Sequence, residues 1–350
     1  MSIKIGNLDT QKKCLIIAEA GVNHNGSIKI AEKLIKEAKK NGADIIKFQT
    51  YKAEKLVSKN AKRFWTWDGE VKKKGTQYDS YKRLDKFNFN EYKKLKKLCE
   101  KYNIEFMSTP FDLDSVNLLL KLNVNAFKIA SCDITNFQLL KSLAKTKKTL
   151  LLSTGASNIK EIKSAYSYLK KNGAKNICIM HCTLCYPTLP SDANLSALVD
   201  IKNNFPNTVL GLSDHTLGTA IASSSLHYGV RVIEKHFTIN KKLKKSADHK
   251  ISLDPKDLKK LRLDVDEINS AIGFGKKIVL KCENLTRKFA RRSIFLKNFK
   301  FKGQKLEYDD LIAKRPGDGI SANLIDKVVN RKINKNLAVD HKLSFKDFNY

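Results

Sequence analysis

Short apolar runs alternate with amphipathic stretches along most of this chain. The apolar runs predict eight strands, at residues 15–18, 45–48, 106–108, 126–129, 149–153, 177–181, 209–212 and 230–235. Between them, apolar residues recur at helical spacing, which predicts helices at 90–101, 115–122, 137–144, 195–203 and 219–228, among others. Helix signals support this division: Gly42 ends the first helix, Asn158 and Glu161 open another as a capping box, and Asp254–Pro255 opens the last, which Gly273 ends.

The order of these elements predicts a parallel sheet. The strands are continuous apolar runs, which is typical of strands buried on both faces. Eight successive strand–helix units favour a (β/α)8 TIM barrel over an open doubly wound sheet. Two segments interrupt the repeat, at residues 51–89, with Trp65, Trp67 and Tyr78, and at residues 237–253. Both are expected on the catalytic face of the barrel.

The pattern changes after about residue 275. Residues 291–296 and 309–312 are predicted as short strands, with turns at Lys302–Gly303 and in the KRPGDGIS segment at 314–321. We therefore predict a catalytic barrel at 1–275, a linker at 276–288 and a small C-terminal domain at 289–350. A domain of this size is often marginal alone, so it is expected to pack on the barrel or on a second subunit.

Composition restricts the class of protein. The 350 residues are 42% hydrophobic, without an apolar run of membrane-spanning length or a signal-peptide core at the N-terminus, which predicts a cytoplasmic protein with no membrane role. Seven cysteines, most of them within apolar runs, are typical of reduced core thiols.

The formal net charge of +32 raises the question of nucleic-acid binding. The lysines are scattered over helix-like segments, however, and no zinc finger or RNA-binding signature accompanies them. We interpret the charge as a solvated surface that would attract anionic substrates, and we expect no nucleic-acid partner.

Polar side chains that can bind an anion or a metal follow nearly every predicted strand. They are Glu19, Lys47, Gln49, Ser108, Thr109, Lys128, Ser131, Ser153, Thr154, His181, Ser213, Asp214, His215, Glu234, Lys235 and His236. The carboxyl ends of barrel strands meet at one face, so these groups are expected to form one site. Lys47 and Lys128, with hydroxyls at 109, 131, 153 and 213, suit a phosphate and carboxylate.

His215 and His236 stand at neighbouring strand ends and are a candidate metal pair. Two protein ligands leave positions open for water and a substrate oxygen, as Lewis-acid catalysis requires. The alternative is that both are structural histidines. The CTLC segment at 182–185 lacks a second pair with zinc spacing, so we interpret its cysteines as structural thiols.

Ten short motifs link this chain to a known family. They are IAEAGVNHNG (17–26), IKFQT (46–50), STPFD (108–112), FKIAS (127–131), LSTG (152–155), HCTLCYPT (181–188), LSDHTLG (212–218), EKHFT (234–238), ARRSI (290–294) and KRPGDGIS (314–321). Together they resemble the sialic acid (N-acetylneuraminate) synthase family, which has legionaminate, pseudaminate and spore-coat polysaccharide branches. The resemblance implies a barrel followed by an antifreeze-like (SAF) domain, and a domain-swapped homodimer.

The resemblance also implies residue roles. Phosphoenolpyruvate would be bound by Lys47, Thr109, Lys128, Ser131, Ser153 and Ser213, and a divalent metal, typically manganese or magnesium, by His215 and His236. Glu19 and Asp133 would be the catalytic carboxylates. Gln49, Tyr186 and Asp248 would contact the sugar, and Arg315 would come from the partner's tail domain.

The implied reaction joins phosphoenolpyruvate to the aldehyde of an open-chain N-acetylated amino sugar and releases phosphate. Several departures leave the sugar open between N-acetylmannosamine and a diacetamido-trideoxy hexose: Asp133 replaces the usual Glu, Ser246–Ala247 a Gly-Pro, and Ala322 a proline. Leu184 replaces a polar residue that in the family often helps bind phosphoenolpyruvate. Another phosphoenolpyruvate–sugar synthase and a noncatalytic carbohydrate-binding protein are the alternatives.

Overall fold

The computed structural model describes residues 1–65, 75–244 and 246–349, so the predicted role of Trp67 lies outside the described residues. The chain forms two compact units, Met1–Gly273 and Phe274–Tyr350.

Eight parallel strands of the first unit close into a barrel. A short antiparallel pair, β1 (Lys4–Ile5) and β2 (Leu8–Asp9), precedes it. The barrel strands, in order around the barrel, are β3 (Leu15–Gly21), β4 (Ile45–Thr50), β5 (Glu105–Pro110), β6 (Ala126–Ile129), β7 (Thr149–Ser153), β8 (Ile177–Cys182), β9 (Val209–Asp214) and β10 (Val230–His236), which pairs again with β3. All eight predicted strands and their closed parallel arrangement are confirmed, and six of them extend further at their carboxyl ends than predicted.

Helices follow the strands. They are α1 (Ile28–Lys40), α2 (Ala53–Leu56), α3 (Gln77–Leu84), α4 (Phe89–Lys101), α5 (Leu113–Lys121), α6 (Phe137–Lys145), α7 (Ile159–Lys171), α8 (Ala197–Asn204), α9 (Ala220–Ser224) and α10 (Pro255–Ala271). The capping boxes at Asn158 and Asp254 are confirmed. Gly42 follows the end of α1 with φ +92°, a conformation that glycine adopts without strain.

One predicted helix needs correction, and two short helices were not predicted. The sequence predicted one helix over 219–228, but α9 ends at Ser224 and a 3₁₀ turn, Ser225–Tyr228, completes the segment. Hydroxyls of Ser223 and Ser225 donate to backbone carbonyls within this segment, and such local bonds compete with regular helix. Helices α2 and α3 were not predicted, because short helices depend on tertiary packing more than on propensity.

Alternation along the strands sorts the side chains into two layers. Ile16, Ala18 and Ala20 belong to the apolar layer between strands and helices, whereas Leu15 and Ile17 belong to the core inside the barrel. Because successive side chains of a strand point to opposite faces, Glu19 continues the inner row. On the other strands the same alternation places apolar residues such as Ile45, Met107 and Leu151 in the inner row. On every strand but β8 it also places polar residues there, nearer the carboxyl end: Lys47, Gln49, Thr109, Lys128, Ser153, Ser213, Glu234 and His236.

The second unit contains helix α11 (Asn284–Ala290), an antiparallel pair β11 (Ser293–Leu296) and β12 (Leu311–Lys314), and helix α12 (Ile325–Val328). The strand predicted at 309–312 starts later, because Tyr308–Asp310 forms a 3₁₀ turn held by Asp310, which accepts from the Glu307 amide at 2.8 Å. A small apolar core holds the unit together. Within the described ranges of both units, no helix is long and apolar enough to cross a membrane.

Candidate active site

Lys47 lies at the centre of the polar end of the barrel. Its ammonium is 2.8 Å from a carboxylate oxygen of Glu19 and donates to the Thr109 hydroxyl at 2.9 Å. Strand register explains the first contact, because Lys47 on β4 is paired directly with Glu19 on β3. Lys47 is only 2% exposed, so its charge is neutralised by protein groups rather than by water.

Glu234 joins the two buried lysines across the barrel. Its carboxylate is 3.3 Å from the Lys128 ammonium and 3.7 Å from that of Lys47, and it accepts a hydrogen bond from Ser213 at 3.1 Å. Burial alone would raise the pKa of Glu234, but Lys128 and Lys47 outweigh it and lower the pKa to about 2. Glu234 was predicted at a strand end, without a role of its own. The available signal was its position two residues before His236, on the same inner row.

The same ion pairs act on Lys47. Burial opposes its charge, but the carboxylates of Glu19 and Glu234 raise the pKa of Lys47 above its ordinary value. The ammonium is therefore present at neutral pH. The barrel end thus contains two buried lysines balanced by two buried carboxylates.

The predicted hydroxyls border this charged group. The Ser153 hydroxyl is buried without a hydrogen-bond partner among the described residues, and it is available to donate to a ligand. Ser131 accepts from the Gly155 amide at 2.9 Å, and a Cβ at position 155 would lie only 2.8 Å from the Ser131 oxygen. Gly155 is therefore needed for this close approach.

His215 and His236 come together beside the lysines, with ring centroids 5.4 Å apart. Nδ1 of His215 lies 2.9 Å from the carbonyl of Thr183, so it carries the proton and Nε2 keeps its lone pair. Burial, with a smaller contribution from His236, lowers the pKa of His215 to about 3, so the ring is neutral. Nδ1 of His236 is buried without a hydrogen bond and lies 3.6 Å from Asp248.

This pair suits a divalent metal. A neutral imidazole that donates one ring N–H to a carbonyl is the usual form of a metal-bound histidine. Over residues 1–65, 75–244 and 246–349, no group of three or more His, Cys, Asp or Glu side chains gathers in a metal-binding arrangement. The two histidines would therefore leave most coordination positions to water and substrate.

The predicted sugar-side residues lie mainly on loops. The Tyr186 ring is 4.2 Å from the His215 ring and half exposed. Gln49, the exception, is on β4 and donates to Glu19 at 3.1 Å. Asp133 accepts from Asn136 at 3.2 Å, and burial raises the pKa of its carboxyl. Leu184 is 42% exposed and borders Gly155.

Asp248 is held by the loop around it. The neighbouring His249 is fully buried, with Nδ1 2.8 Å from the Thr238 hydroxyl and Nε2 3.2 Å from the Asn25 side-chain oxygen. Ser252 donates to the Asp248 carbonyl at 2.6 Å. The loop after β10 is thereby fixed to the loop after β3, and Asp248 stays beside His236.

The sequence also singled out Arg315 and the two cysteines of the CTLC segment. Arg315 is exposed and lies in the second unit, just after β12. Cys182 and Cys185 are both free, the first buried and the second exposed. Of the seven cysteines four are buried, in agreement with the expected core thiols.

The chain is similar to known proteins over most of its length. The model of the NeuB family matches residues 34–277. The N,N'-diacetyllegionaminic acid synthase of Campylobacter jejuni is 41% identical, covering 94% of this chain and 98% of that protein. The enzyme of the same name from Legionella pneumophila is 37% identical, covering 93% and 92%. The solved structure of N-acetylneuraminic acid (sialic acid) synthetase from Leptospira borgpetersenii, in complex with citrate, is 34% identical with a TM-score of 0.72, covering 82% and 95%.

Proposed function

The chain belongs to the NeuB family, and on this basis we propose that it condenses phosphoenolpyruvate with an open-chain N-acetylated amino sugar to form a sialic-acid-like nonulosonate and phosphate. One observation carries the proposal. Two buried lysines, Lys47 and Lys128, lie at the barrel end beside a pair of histidines, His215 and His236. An anionic substrate and a carbonyl oxygen therefore find their binding groups side by side.

Phosphoenolpyruvate carries a phosphate and a carboxylate, which need separate cations. Lys47 with Thr109 and Lys128 with Ser213 supply two such positions, since each lysine and its hydroxyl converge on the same barrel end. Ser153 and Ser131 add further hydroxyls. Glu234 now balances both ammoniums, and the bound anion would share them with it.

His215 and His236 would hold a divalent metal, manganese or magnesium. When bound, such a metal polarises the aldehyde oxygen as a Lewis acid. The neutral ring of His215 and the unpaired Nδ1 of His236 support this assignment.

The reaction forms a bond between the enol carbon C3 of phosphoenolpyruvate and the aldehyde carbon. Positive charge develops at C2, water adds there, and the C2–O bond to phosphate breaks. Glu19 is the carboxylate that stabilises this charge or accepts the proton of the attacking water. Its ion pair with Lys47 keeps it in place, and the hydrogen bond from Gln49 fixes its second oxygen.

The sugar would contact Asp133, Tyr186, Gln49 and Asp248. Two relatives are N,N'-diacetyllegionaminic acid synthases, which favours a diacetamido-trideoxy hexose over N-acetylmannosamine as the acceptor. Asp133, shorter than the usual Glu, leaves room for a different substituent at its position.

The second unit would be an antifreeze-like (SAF) domain. The protein would be a homodimer in which Arg315 of the partner subunit completes the sugar site. These two proposals rest on the family resemblance and on the exposure of Arg315. Mixed dimers of Arg315→Ala and Glu19→Gln chains test them. Partial recovery of activity is expected, whereas no recovery would indicate a site built within one chain.

The function is tested by phosphate release from phosphoenolpyruvate with a panel of sugars: N-acetylmannosamine, diacetamido-trideoxy hexoses and arabinose 5-phosphate. We expect release with a diacetamido sugar, lost on chelation and restored by Mn²⁺. Release only with arabinose 5-phosphate would indicate a different phosphoenolpyruvate–sugar synthase. Sugar binding without release would indicate a noncatalytic carbohydrate-binding protein.

A further inference from the structure

A buried ion pair lies behind the two histidines, on the outer face of their strands. Asp214 on β9 and Lys235 on β10 are direct partners in the strand register, and the Lys235 ammonium is 2.8 Å from the Asp214 carboxylate. Each stands two residues after an apolar residue of the strand–helix layer, Leu212 or Ile233, and therefore on the same face, away from the substrate side. Lys235 is only 1% exposed, so from this position its side chain reaches neither solvent nor the substrate side.

Thr216 connects this ion pair to His215. The Thr216 amide and hydroxyl both donate to the Asp214 carboxylate, each at 2.9 Å, and the Lys235 ammonium donates to the Thr216 carbonyl. The residues before and after His215 are therefore bound to one lysine. The amide of Thr188 donates to the His215 carbonyl at 3.1 Å, so the backbone of His215 itself is also held by a hydrogen bond.

The same lysine is covalently next to His236. Its ammonium thus links the side chain before His215, Asp214, and the backbone carbonyl after it, that of Thr216, to the residue that precedes His236. A shift of β9 against β10 would break these hydrogen bonds, so the network opposes any change in the spacing of the two rings.

We propose that the Asp214–Lys235 pair is a positioning device that sets the distance between His215 and His236 for a shared divalent cation. The inference rests on the metal site proposed above. Stability alone does not account for the pair, because replacing a buried ion pair by apolar residues of similar volume is often neutral or stabilising. A metal site requires ligand distances that are held to within about 0.2 Å. The directional hydrogen bonds of Asp214, Thr216 and Lys235 can hold the two histidines in place to this precision, which apolar packing does less well.

The test compares metal affinity with stability. In the double variant Asp214→Leu/Lys235→Met, Mn²⁺ affinity measured by titration calorimetry should fall about 10- to 100-fold, as for other groups that orient metal ligands. The melting temperature of the metal-free protein and its affinity for phosphoenolpyruvate should stay near the wild-type values. A general loss of structure would instead lower all three together.

Two further variants keep the outcome interpretable. Asp214→Asn/Lys235→Gln keeps polar side chains at both positions and serves if the apolar variant does not fold. Glutamine is one bond shorter than lysine and cannot bridge position 214 and the Thr216 carbonyl as the Lys235 ammonium does, so this variant should also weaken Mn²⁺ binding. Asp310→Leu/Lys300→Met removes an ion pair of the second unit, where the ammonium and carboxylate are 2.6 Å apart, and should leave Mn²⁺ affinity unchanged.

The contrary results separate the two proposals. Wild-type Mn²⁺ affinity in a folded Asp214/Lys235 variant would overturn the positioning role, provided that His215→Ala abolishes binding. If the wild-type protein and His215→Ala bind Mn²⁺ equally poorly, the metal site itself is refuted, and the positioning role with it.

Discussion

The two halves of the candidate site are built differently. In the anion half, Lys47, Lys128 and Glu234 stand on barrel strands and are at most 5% exposed. In the sugar half, Asp133, Tyr186 and Asp248 stand on the segments after strands, and Tyr186 is half exposed. The first half is positioned by strand register and the second by individual side-chain hydrogen bonds.

This difference indicates where the site can vary. A strand-borne group cannot move without a shift of the sheet, and its charge is balanced by buried neighbours. The side chain of a loop residue such as Asp133 is held by near neighbours in the sequence, Asn136 and the Cys132 thiol, and a change there disturbs little else. We therefore expect the departure from the family pattern at Asp133 to alter sugar preference rather than the reaction. Four experiments test this division, in order of decreasing expected effect.

Glu19→Gln should lower kcat by about 10²- to 10⁴-fold, because it removes the carboxylate proposed to act at C2. The affinity for phosphoenolpyruvate should change little, since Lys47 keeps Glu234 and Thr109 as neighbours. Steady-state kinetics and direct phosphoenolpyruvate binding measure the two effects. The matched control is Glu105→Gln, at the opposite end of a barrel strand. A rate equal to that of wild type would refute the role of Glu19.

Lys128→Met should raise KM for phosphoenolpyruvate about 10- to 100-fold, the value of one charge-assisted hydrogen bond. KM for the sugar should be nearly constant, because Lys128 belongs to the anion half. Lys141→Met, an exposed lysine on α6, controls for the loss of surface charge. If KM for the sugar rose as much as that for phosphoenolpyruvate, the division into two halves would fail.

Glu234→Gln should make the free energy of unfolding depend less steeply on pH in the acid range. The pKa of Glu234 is lowered from 4.5 to about 2 in the folded protein, so its charge stabilises the fold above pH 4.5. That contribution is lost as the pH falls through about 2, and the variant lacks it. The slope of unfolding free energy against pH should therefore be shallower by up to about 1.4 kcal/mol per pH unit.

Urea unfolding between these pH values measures the slope, with Glu267→Gln, an exposed carboxyl on α10, as the control. Parallel profiles for wild type and Glu234→Gln would show that the lysines do not hold the Glu234 carboxylate as described.

Asp133→Glu restores the usual family residue and should have the smallest effect. We expect a change of about two- to tenfold in the ratio of kcat/KM between two acceptor sugars, equivalent to one neutral hydrogen bond. KM for phosphoenolpyruvate should stay constant. Asp192→Glu, at an exposed site, is the control. An effect confined to phosphoenolpyruvate would place Asp133 in the anion half.

Strand alternation made much of the site predictable. An apolar run that ends in a polar residue already indicates a side chain at the barrel end, as for Glu19 and Lys128. The loop helices α2 and α3 were not predictable in this way, because four to eight residues carry too little periodic signal.

The sequence alone determined which residues stand at the strand ends, because strand period and order are local properties of the chain. It did not separate those that enter the site from Asp214 and Lys235, which were expected there and lie on the outer face of β9 and β10. Only the tertiary structure decided the partners of these strand-end residues. Glu234 on β10 reaches Lys128 on β6, a strand that is not its neighbour, and this contact exists only because the sheet closes. Likewise, His249 reaches Asn25 across more than two hundred residues, and this long-range contact, invisible to periodicity, holds Asp248 beside His236.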